Sequence, residues 1–156
     1  YFSAVVDSFR CEKEAVRLLR LAPGSEIRTH RDIRLAYPFG NFRVHVPVVT
    51  GPQIDFIVGG ERIEMKEGEC WYANFDLPHS VKNHGATERV HLVIDCVRNE
   101  WSDELFANAG YDFEAEKKAL APDDETKRRM IEELSRIDTP ASRDILEKLL
   151  SGLSEK

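Results

Sequence analysis

His30 and Asp32 are the first side chains in this sequence whose types and spacing suggest chemistry. They lie two residues apart in a segment, Ile27–Asp32, that is expected to be extended, and alternate residues of a strand point to the same side. An imidazole and a carboxylate on one side can bind the same metal ion. His79 begins a later strand-like segment and can close the site from a facing strand. The three side chains together predict a metal site.

This ligand set leaves coordination positions open. Two histidines and one carboxylate on one face of an octahedral ion are the arrangement of non-haem Fe(II) oxygenases. Each part has a simpler interpretation, because a surface histidine beside a carboxylate is common in a chain with 28 acidic residues and five histidines. His79 alone is equally well explained as a buried barrel residue. The prediction therefore depends on the combination of all three.

Two other strand-like segments carry donor groups that need an acceptor. Arg89 begins a strand, where a guanidinium is costly to bury without an anion. A salt bridge to Asp76 or Asp95 would satisfy it, and so would a bidentate contact with a ligand carboxylate. Arg43 and His45 share the polar face of a strand whose other face is formed by valines. Together the three groups would suit a small dicarboxylate.

Candidate substrate-contacting residues flank the predicted metal site. Arg31 stands between two of its residues in the sequence and can attract an anionic substrate, although a solvated rim is the alternative. Trp71 and Asn74 precede His79 closely and can line a substrate pocket. A position in the hydrophobic core is the alternative for Trp71.

The elements that would position these residues are mostly strands. The segment from Ala15 to Cys96 predicts seven or eight short strands separated by turn signals, with no helix between them. Gly59-Gly60 predicts a tight hairpin. Tyr1–Phe9 has helical spacing of its apolar residues. The pattern favours a mainly β fold, a double-stranded β-helix (jelly roll, cupin-like), with a short N-terminal helix and a C-terminal helical tail.

Three amphipathic helices are predicted in that tail. Ser102 is expected to cap the first, Asp123 to open the second and Thr139-Pro140 to open the third. The apolar stripe of the third helix runs to Leu153. Each stripe needs a surface to cover.

Composition and charge are those of a globular domain with an acidic extension. The chain has 156 residues, of which 42% are hydrophobic and 32% charged, and a net charge of -6 that argues against a nucleic-acid partner. Residues 102–156 carry 14 acidic and 9 basic side chains, whereas residues 1–101 are nearly neutral. We expect residues 1–101 to form the jelly-roll domain. Residues 102–156 are expected to pack on the sheet or on a second subunit, which makes a homodimer through these helices one expectation.

The cysteines and the hydropathy pattern predict the cellular compartment of the protein. Cys11, Cys70 and Cys96 are odd in number and lack metal-binding spacing, which favours a reducing compartment. The sequence shows no signal-peptide pattern and no run of roughly 18 apolar residues. We expect a cytoplasmic location and no membrane span.

From about Arg17 to Trp101 the sequence resembles the aspartyl/asparaginyl β-hydroxylase family of Fe(II)- and 2-oxoglutarate-dependent dioxygenases, which includes bacterial proline hydroxylases. The segments that carry the resemblance are Arg20–Ser25, His30-Arg-Asp32, Arg43-Val-His-Val-Pro47, Gly68-Glu-Cys-Trp71, Pro78-His79 and Arg89-Val-His-Leu-Val-Ile-Asp95. The resemblance implies that His30, Asp32 and His79 bind iron. It also implies that Arg89 holds the distal carboxylate of 2-oxoglutarate. Arg43 and His45 would then lie near the carboxylate that binds iron.

The resemblance implies hydroxylation of an amino acid, a small acid or a peptide residue, with O₂ consumed and succinate and CO₂ released. Vertebrate members lack a carboxylate at the position of Asp32, so this chain resembles the bacterial amino-acid hydroxylases more closely. Two other interpretations stay open. One is a cupin-type metal enzyme that does not use 2-oxoglutarate, since His79–Asn83 fits the end of a cupin motif. The other is a non-catalytic barrel that binds a small carboxylate as a sensor.

Overall fold

Eight strands follow a short helix and precede four more helices in the computed structural model of the chain, which describes residues 1–151. The strands are β1 Lys13–Leu21, β2 Glu26–His30, β3 Asn41–Val49, β4 Ile54–Val58, β5 Glu61–Arg62, β6 Trp71–Tyr72, β7 His79–Asn83 and β8 Arg89–Val97. The helices are α1 Phe2–Ser8, α2 Glu100–Asn108, α3 Phe113–Leu120, α4 Asp124–Ser135 and α5 Pro140–Ser151, and a 3₁₀ turn spans Tyr37–Phe39.

The strands form two four-stranded antiparallel sheets. The first sheet has the order β1-β8-β3-β6 and the second has the order β2-β7-β4-β5. Because the chain passes repeatedly from one sheet to the other, the connections are those of a jelly roll. The predicted fold class, including the N-terminal helix, is confirmed.

Strand β3 explains why the polar side chains lie inside the barrel. Its polar face looks toward the second sheet, since the ring of His45 lies 5.0 Å from that of Phe75 and 5.4 Å from that of Phe56. Its apolar back is covered by α2, where the rings of Phe42 and Phe106 are 5.5 Å apart. Both faces of this strand are therefore buried, and the alternation marks an interior polar site rather than a solvent-exposed face.

The hairpin between β4 and β5 has the predicted two-residue turn. Gly59 and Gly60 have φ angles of 59° and 88°, and Val58 pairs with Glu61 across them. Positive φ at both central positions is the requirement of a type I′ turn, which glycine meets without strain.

One hydrophobic core cluster lies largely at the second sheet. Its buried members are Leu21, Ile54, Phe56, Val58, Met65, Ala73, Phe75 and Val81. Two of them, Phe56 and Phe75, also contact the interior histidine His45. The core therefore forms one wall of the polar interior.

The helical tail differs from the prediction in two respects. Asn99, not Ser102, caps α2: the side chain of Asn99 accepts from the Ser102 backbone, and the Ser102 hydroxyl accepts from the Asn99 backbone. This reciprocal pair is a capping box, which places Ser102 at the third helical position. Helix α3, eight residues long, is additional to the helices that the sequence predicts. Helices α4 and α5 begin at the predicted positions, while Leu153 lies outside the described residues.

The chain divides into two compact units, Tyr1–Tyr111 and Asp112–Lys156. Helix α2 belongs to the first unit, because the hydroxyl of buried Tyr37 bonds to Ser102 and Asp103 and its ring stacks on Phe106 at 3.6 Å. The division therefore falls after α2, whereas the sequence placed it at the start of that helix. In the second unit, α4 and α5 pack against each other. Packing of this unit on the sheet or on a second subunit stays a prediction. Within residues 1–151, every helix is too short or too polar to cross a bilayer.

Candidate metal centre

His30, His79 and Asp32 converge at one end of the second sheet. His30 is the last residue of β2, His79 is the first of β7, and the two are paired across the strands. Asp32 lies in the loop just beyond β2, where its backbone N–H donates to the Phe75 carbonyl at 3.0 Å. The loop contact, rather than strand alternation, positions the carboxylate.

The three side chains are close enough to share one ion. His30 Nε2 lies 3.7 Å from Asp32 Oδ1, and His79 Nε2 lies 4.0 Å from Asp32 Oδ2. One ligand atom from each residue falls within 4.8 Å of the others. The rings of the two histidines are 4.2 Å apart. His79 is buried and His30 is exposed, so the centre opens to solvent on the side of β2.

The hydrogen bonds of the two imidazoles suit metal binding. Nδ1 of His30 lies 2.8 Å from the Arg28 carbonyl and Nδ1 of His79 lies 3.0 Å from the Leu77 carbonyl. A carbonyl only accepts, so each Nδ1 is the donor, and in the neutral imidazole Nε2 then carries the lone pair that can bind a metal. Backbone carbonyls that fix the tautomer in this way are the usual support of metal-bound histidines. The residues present therefore fit a metal ion with open coordination positions.

The Arg43 guanidinium is paired with two carboxylates of the protein. Its Nε and Nη2 donate to Asp95 at 2.6 and 3.0 Å, and its Nη1 donates to Asp32 Oδ2 at 2.5 Å. Arg17 also donates to Asp95. The sequence predicts a contact between Arg43 and a ligand carboxylate, whereas the structure pairs Arg43 with Asp95 and with the candidate metal ligand Asp32. Its hydrogen bonds can orient that carboxylate.

Arg89 is a buried cation without a protein counter-ion. The residue is 2% exposed, and no carboxylate of residues 1–151 lies within ion-pair distance of it. The salt bridges considered from the sequence are absent, because Asp95 pairs with Arg17 and Arg43 and Asp76 pairs with Arg31. Burial lowers the pKa of Arg89 to about 10, so the group stays charged at neutral pH. A buried charge of this kind requires an anion.

Two histidines surround the Arg89 guanidinium. His45 is 5% and His91 is 1% exposed, and their Nδ1 atoms lie 3.4 and 2.7 Å from Arg89 Nη2. Burial and the charge of Arg89 lower the pKa of both, that of His91 to about 3. Within the described part of the chain, three buried side-chain nitrogen atoms lack a hydrogen-bond partner: His45 Nε2, Arg89 Nε and His91 Nε2. All three lie in this one cluster.

His91 is the residue that the sequence analysis missed. It lies two positions after Arg89 on β8 and therefore on the same side of the strand. That spacing, the same as in the His30 and Asp32 pair, was the available signal.

Phe75 connects the two polar groups. Its ring lies 5.0 Å from that of His79 and 5.0 Å from that of His45. Phe56 lies beyond it, with the Arg89 guanidinium 5.4 Å from its ring centre. The metal centre and the Arg89 cluster therefore share one aromatic wall.

The three candidate substrate residues have structural partners. Arg31 Nε donates to the Asp76 carbonyl at 2.5 Å and its Nη2 lies 3.1 Å from Asp76 Oδ2, so it forms an exposed rim contact. Trp71 packs against the hydrophobic core and its indole N–H donates to Glu69 at 2.7 Å. Asn74 accepts from the Asp76 N–H at 3.0 Å and thereby stabilises the turn before β7. Their role toward a substrate stays a prediction.

Among solved structures, several cupin-fold proteins are similar to this chain. One described as a predicted oxalate decarboxylase from Thermotoga maritima has 18% identity, covers 63% of this chain and 75% of that one, and has a TM-score of 0.44. A cupin domain from Bordetella pertussis Tohama I has 26% identity, covers 56% and 84%, and has a TM-score of 0.43. The nickel complex of ThoJ, a non-haem monooxygenase, has 19% identity, covers 55% and 43%, and has a TM-score of 0.46.

A match to a protein family includes the residues of the candidate site. Residues 2–99 match the aspartyl/asparaginyl beta-hydroxylase family, a range that includes His30, Asp32, His79 and Arg89. The match spans more than half of the chain, so this protein belongs to the aspartyl/asparaginyl beta-hydroxylase family.

Proposed function

We propose that this protein is an Fe(II)- and 2-oxoglutarate-dependent dioxygenase that hydroxylates an amino acid, a small acid or a peptide residue. Bound iron would supply the activation of O₂, by which one oxygen atom enters a substrate C–H bond and the other enters succinate as 2-oxoglutarate loses CO₂. The protein's part is to hold the metal, orient both organic molecules and exclude water.

The metal would be held by His30, His79 and Asp32. The free Nε2 lone pairs and one carboxylate supply three ligands, which leaves room for two donor atoms of a 2-oxo acid and for O₂. Arg43 supports this arrangement, because its N–H group holds one oxygen of Asp32 at 2.5 Å.

The observation that carries the proposal is the unpaired charge of Arg89. Among the described residues this guanidinium has histidines around it but no carboxylate, and its Nε lacks any partner. A dicarboxylate that binds the metal at one end and Arg89 at the other would neutralise the buried charge. Without an anionic ligand at this position, the Arg89 charge would stay buried and uncompensated.

His45 and Phe75 would complete the co-substrate chamber. His45 is neutral at physiological pH, since its pKa is well below 6.5, so it can donate or accept without adding charge. Phe75 contacts both His45 and His79 and excludes water from the space beside them. The exposed side of His30 is where a small molecule or a peptide can approach. A cytoplasmic location is part of the proposal, because the three cysteines are free thiols.

An anaerobic titration tests the proposal. Protein with Fe(II) and 2-oxoglutarate should develop a visible charge-transfer band, which Asp32→Ala should abolish. Arg89→Met should keep metal binding but weaken 2-oxoglutarate binding about 10- to 100-fold, the usual value of hydrogen bonds to a charged group. Tight metal binding without any affinity for 2-oxoglutarate would overturn the proposal.

A product screen completes the test. Amino acids and short peptides are incubated with Fe(II), 2-oxoglutarate and O₂, and succinate and oxygenated products are measured by mass spectrometry. We expect one molecule of succinate for each molecule of product that carries one added oxygen atom. Binding of 2-oxoglutarate without succinate under every condition would instead indicate a carboxylate sensor.

A further inference from the structure

Asp76 joins the loop that carries Asp32 to the segment that leads into His79. Its Oδ1 accepts from the backbone N–H of Arg34 at 3.0 Å, and its Oδ2 accepts from Arg31 Nη2 at 3.1 Å. Its backbone carbonyl accepts from Arg31 Nε at 2.5 Å. Arg31 and Arg34 lie on either side of Asp32 in the sequence, so Asp76 contacts the loop both before and after the candidate metal ligand.

Backbone hydrogen bonds hold Asp32 between these two contacts. Its N–H donates to the Phe75 carbonyl at 3.0 Å, and its carbonyl accepts from the Leu35 N–H at 2.9 Å. The next bond between the loop and the segment joins the Arg34 N–H to the Asp76 carboxylate. The side chain of Asp76 therefore continues a pairing that the backbone of Phe75 begins.

The backbone of Arg34 has a conformation that requires such a contact. Its φ angle is 65°, and within residues 1–151 no other residue except glycine has a positive φ. This left-handed region is readily adopted by glycine, whereas other residues adopt it where the surrounding structure holds them there. The bond from the Arg34 N–H to Asp76 is a contact of this kind. Asp76 therefore helps to hold the turn that follows Asp32.

On its other side, Asp76 lies in a turn that ends at His79. Asn74 Oδ1 accepts from the Asp76 N–H at 3.0 Å, and the Asn74 carbonyl accepts from the Leu77 N–H at 3.2 Å. The Leu77 carbonyl in turn accepts from His79 Nδ1 at 3.0 Å. These bonds connect the backbone around Asp76 with the imidazole of the second candidate ligand.

Resting on the metal centre of the proposed function, we propose that Asp76 is a positioning residue that fixes the Asp32 carboxylate relative to the His79 imidazole. The ligand atoms of these two residues lie 4.0 Å apart, and Asp76 is hydrogen-bonded on both sides of the gap between them. Residues that support metal ligands in this way commonly change metal affinity about 10- to 100-fold when they are replaced. Asp76 thus acts on the metal through Asp32 and His79, without touching it.

The bond to the Arg34 N–H is the part of this arrangement that positions the ligand. The other partner of the carboxylate, the Arg31 side chain, is 51% exposed, and exposed ion pairs contribute little. Two substitutions separate the contacts. Asp76→Ala removes both, whereas Asp76→Asn removes the ion pair with Arg31 but keeps an oxygen atom that can accept from Arg34.

The experiment titrates the metal-free protein with Co(II) and records both the affinity and the visible absorption spectrum, which depends on the geometry of the ligands. Asp76→Ala should weaken binding about 10-fold or more and change the spectrum. Asp76→Asn should restore most of the affinity and the spectrum of the wild type. Asp55→Ala is the matched control, because Asp55 also pairs with a partly exposed arginine, Arg62, at 2.9 Å; its affinity and spectrum should equal those of the wild type.

The outcomes separate this inference from the proposed function. Wild-type protein that binds no Co(II) overturns the metal centre and the role of Asp76 with it, whereas wild-type protein that binds Co(II) but not 2-oxoglutarate overturns the proposed function alone. If the wild type binds Co(II) and Asp76→Ala equals it in affinity and spectrum, or loses no more than Asp55→Ala, only the role of Asp76 is overturned.

A second variant decides if Asp76→Ala does not fold, as judged by circular dichroism. Asp76→Glu keeps the charge but moves the carboxylate by one methylene group, so the bond to the Arg34 N–H cannot keep its geometry. We expect weaker Co(II) binding and an altered spectrum. An affinity and a spectrum equal to those of the wild type would overturn the positioning role.

Discussion

Arg43 donates to Asp32 Oδ2 at 2.5 Å while its remaining two donor nitrogens bind both oxygens of Asp95. One guanidinium on β3 therefore connects a carboxylate of β8 with the carboxylate of the metal centre. Burial disfavours the charged form of Arg43, yet the two carboxylates together raise its pKa above its ordinary value. The metal-binding aspartate is thus held from the interior of the barrel by a permanently charged group.

Removal of the Arg43 charge should weaken metal binding. Arg43→Met leaves Asp32 without its ionic partner, so the carboxylate is less well oriented. We expect a loss of about 10- to 100-fold in metal affinity, the usual effect of supporting contacts around a metal site. Isothermal titration with Co(II) measures it. Arg17→Met is the matched control, because Arg17 contacts Asp95 but not Asp32; equal losses in both variants would contradict the proposed orienting role.

Metal binding should stabilise the folded protein. A ligand at about 100 times its dissociation constant adds about 2.7 kcal/mol to the free energy of unfolding. Urea unfolding with and without Mn(II) should show this gain in the wild type. His79→Ala should lose it, since two side chains remain at the centre. His84→Ala should retain it, because His84 lies on a turn and bonds to Asp55. A gain that survives His79→Ala would mean that the metal binds elsewhere.

Acid should destabilise the fold through the buried histidines. The pKa of His91 is lowered from 6.5 to about 3 by burial and by Arg89, and burial lowers that of His45 as well. Below about pH 6.5 the unfolded chain therefore binds protons that the folded chain does not. The free energy of unfolding consequently keeps its full value above this pH and declines as the pH falls toward about 3. At about pH 5.5 the loss from His91 alone is about 1.4 kcal/mol.

The measurement is the free energy of unfolding by urea at about pH 7.5 and about pH 5.5. His91→Asn removes the titrating group, so its loss on acidification should be smaller than that of the wild type. His84→Asn changes an exposed histidine and serves as the control. An identical loss in the His91→Asn variant and the wild type would show that other groups cause the acid effect.

Helix α2 should contribute to the stability of the first compact unit, Tyr1–Tyr111. Phe106 is buried and stacks on Tyr37 at 3.6 Å, so Phe106→Ala should lower the free energy of unfolding by about 3 kcal/mol or more. Tyr37→Phe removes only the hydroxyl that bonds to Ser102 and Asp103, which should cost about 1 kcal/mol. Leu105→Ala, at an exposed position of the same helix, is the control. Equal effects at Phe106 and Leu105 would contradict the packing described here.

The sequence predicted the strands and named candidate metal ligands because both depend on residue types and on their spacing along the chain. The alternation around Arg43 and His45 follows from the two-residue period of a strand, and the Gly59-Gly60 turn follows from the need for positive φ. His30, Asp32 and His79 could be named as ligands because few residue types bind metals and the family resemblance covers all three.

The tertiary structure decided which groups are paired. The sequence offered Asp76 and Asp95 as partners of Arg89, but Arg31 and Arg43 occupy these carboxylates and leave Arg89 buried with histidines. The first compact unit likewise ends after α2 because Phe106 of this helix stacks on Tyr37, and the two residues are distant in the sequence.

The sequence by itself determined the local conformations and the types of donor available for a metal and an anion. Only the fold decided which charges neutralise one another, since that depends on distances between strands far apart in the chain. The pairing of Arg43 with both Asp32 and Asp95 belongs to the second kind, because it joins a loop and two strands that are separate in the sequence.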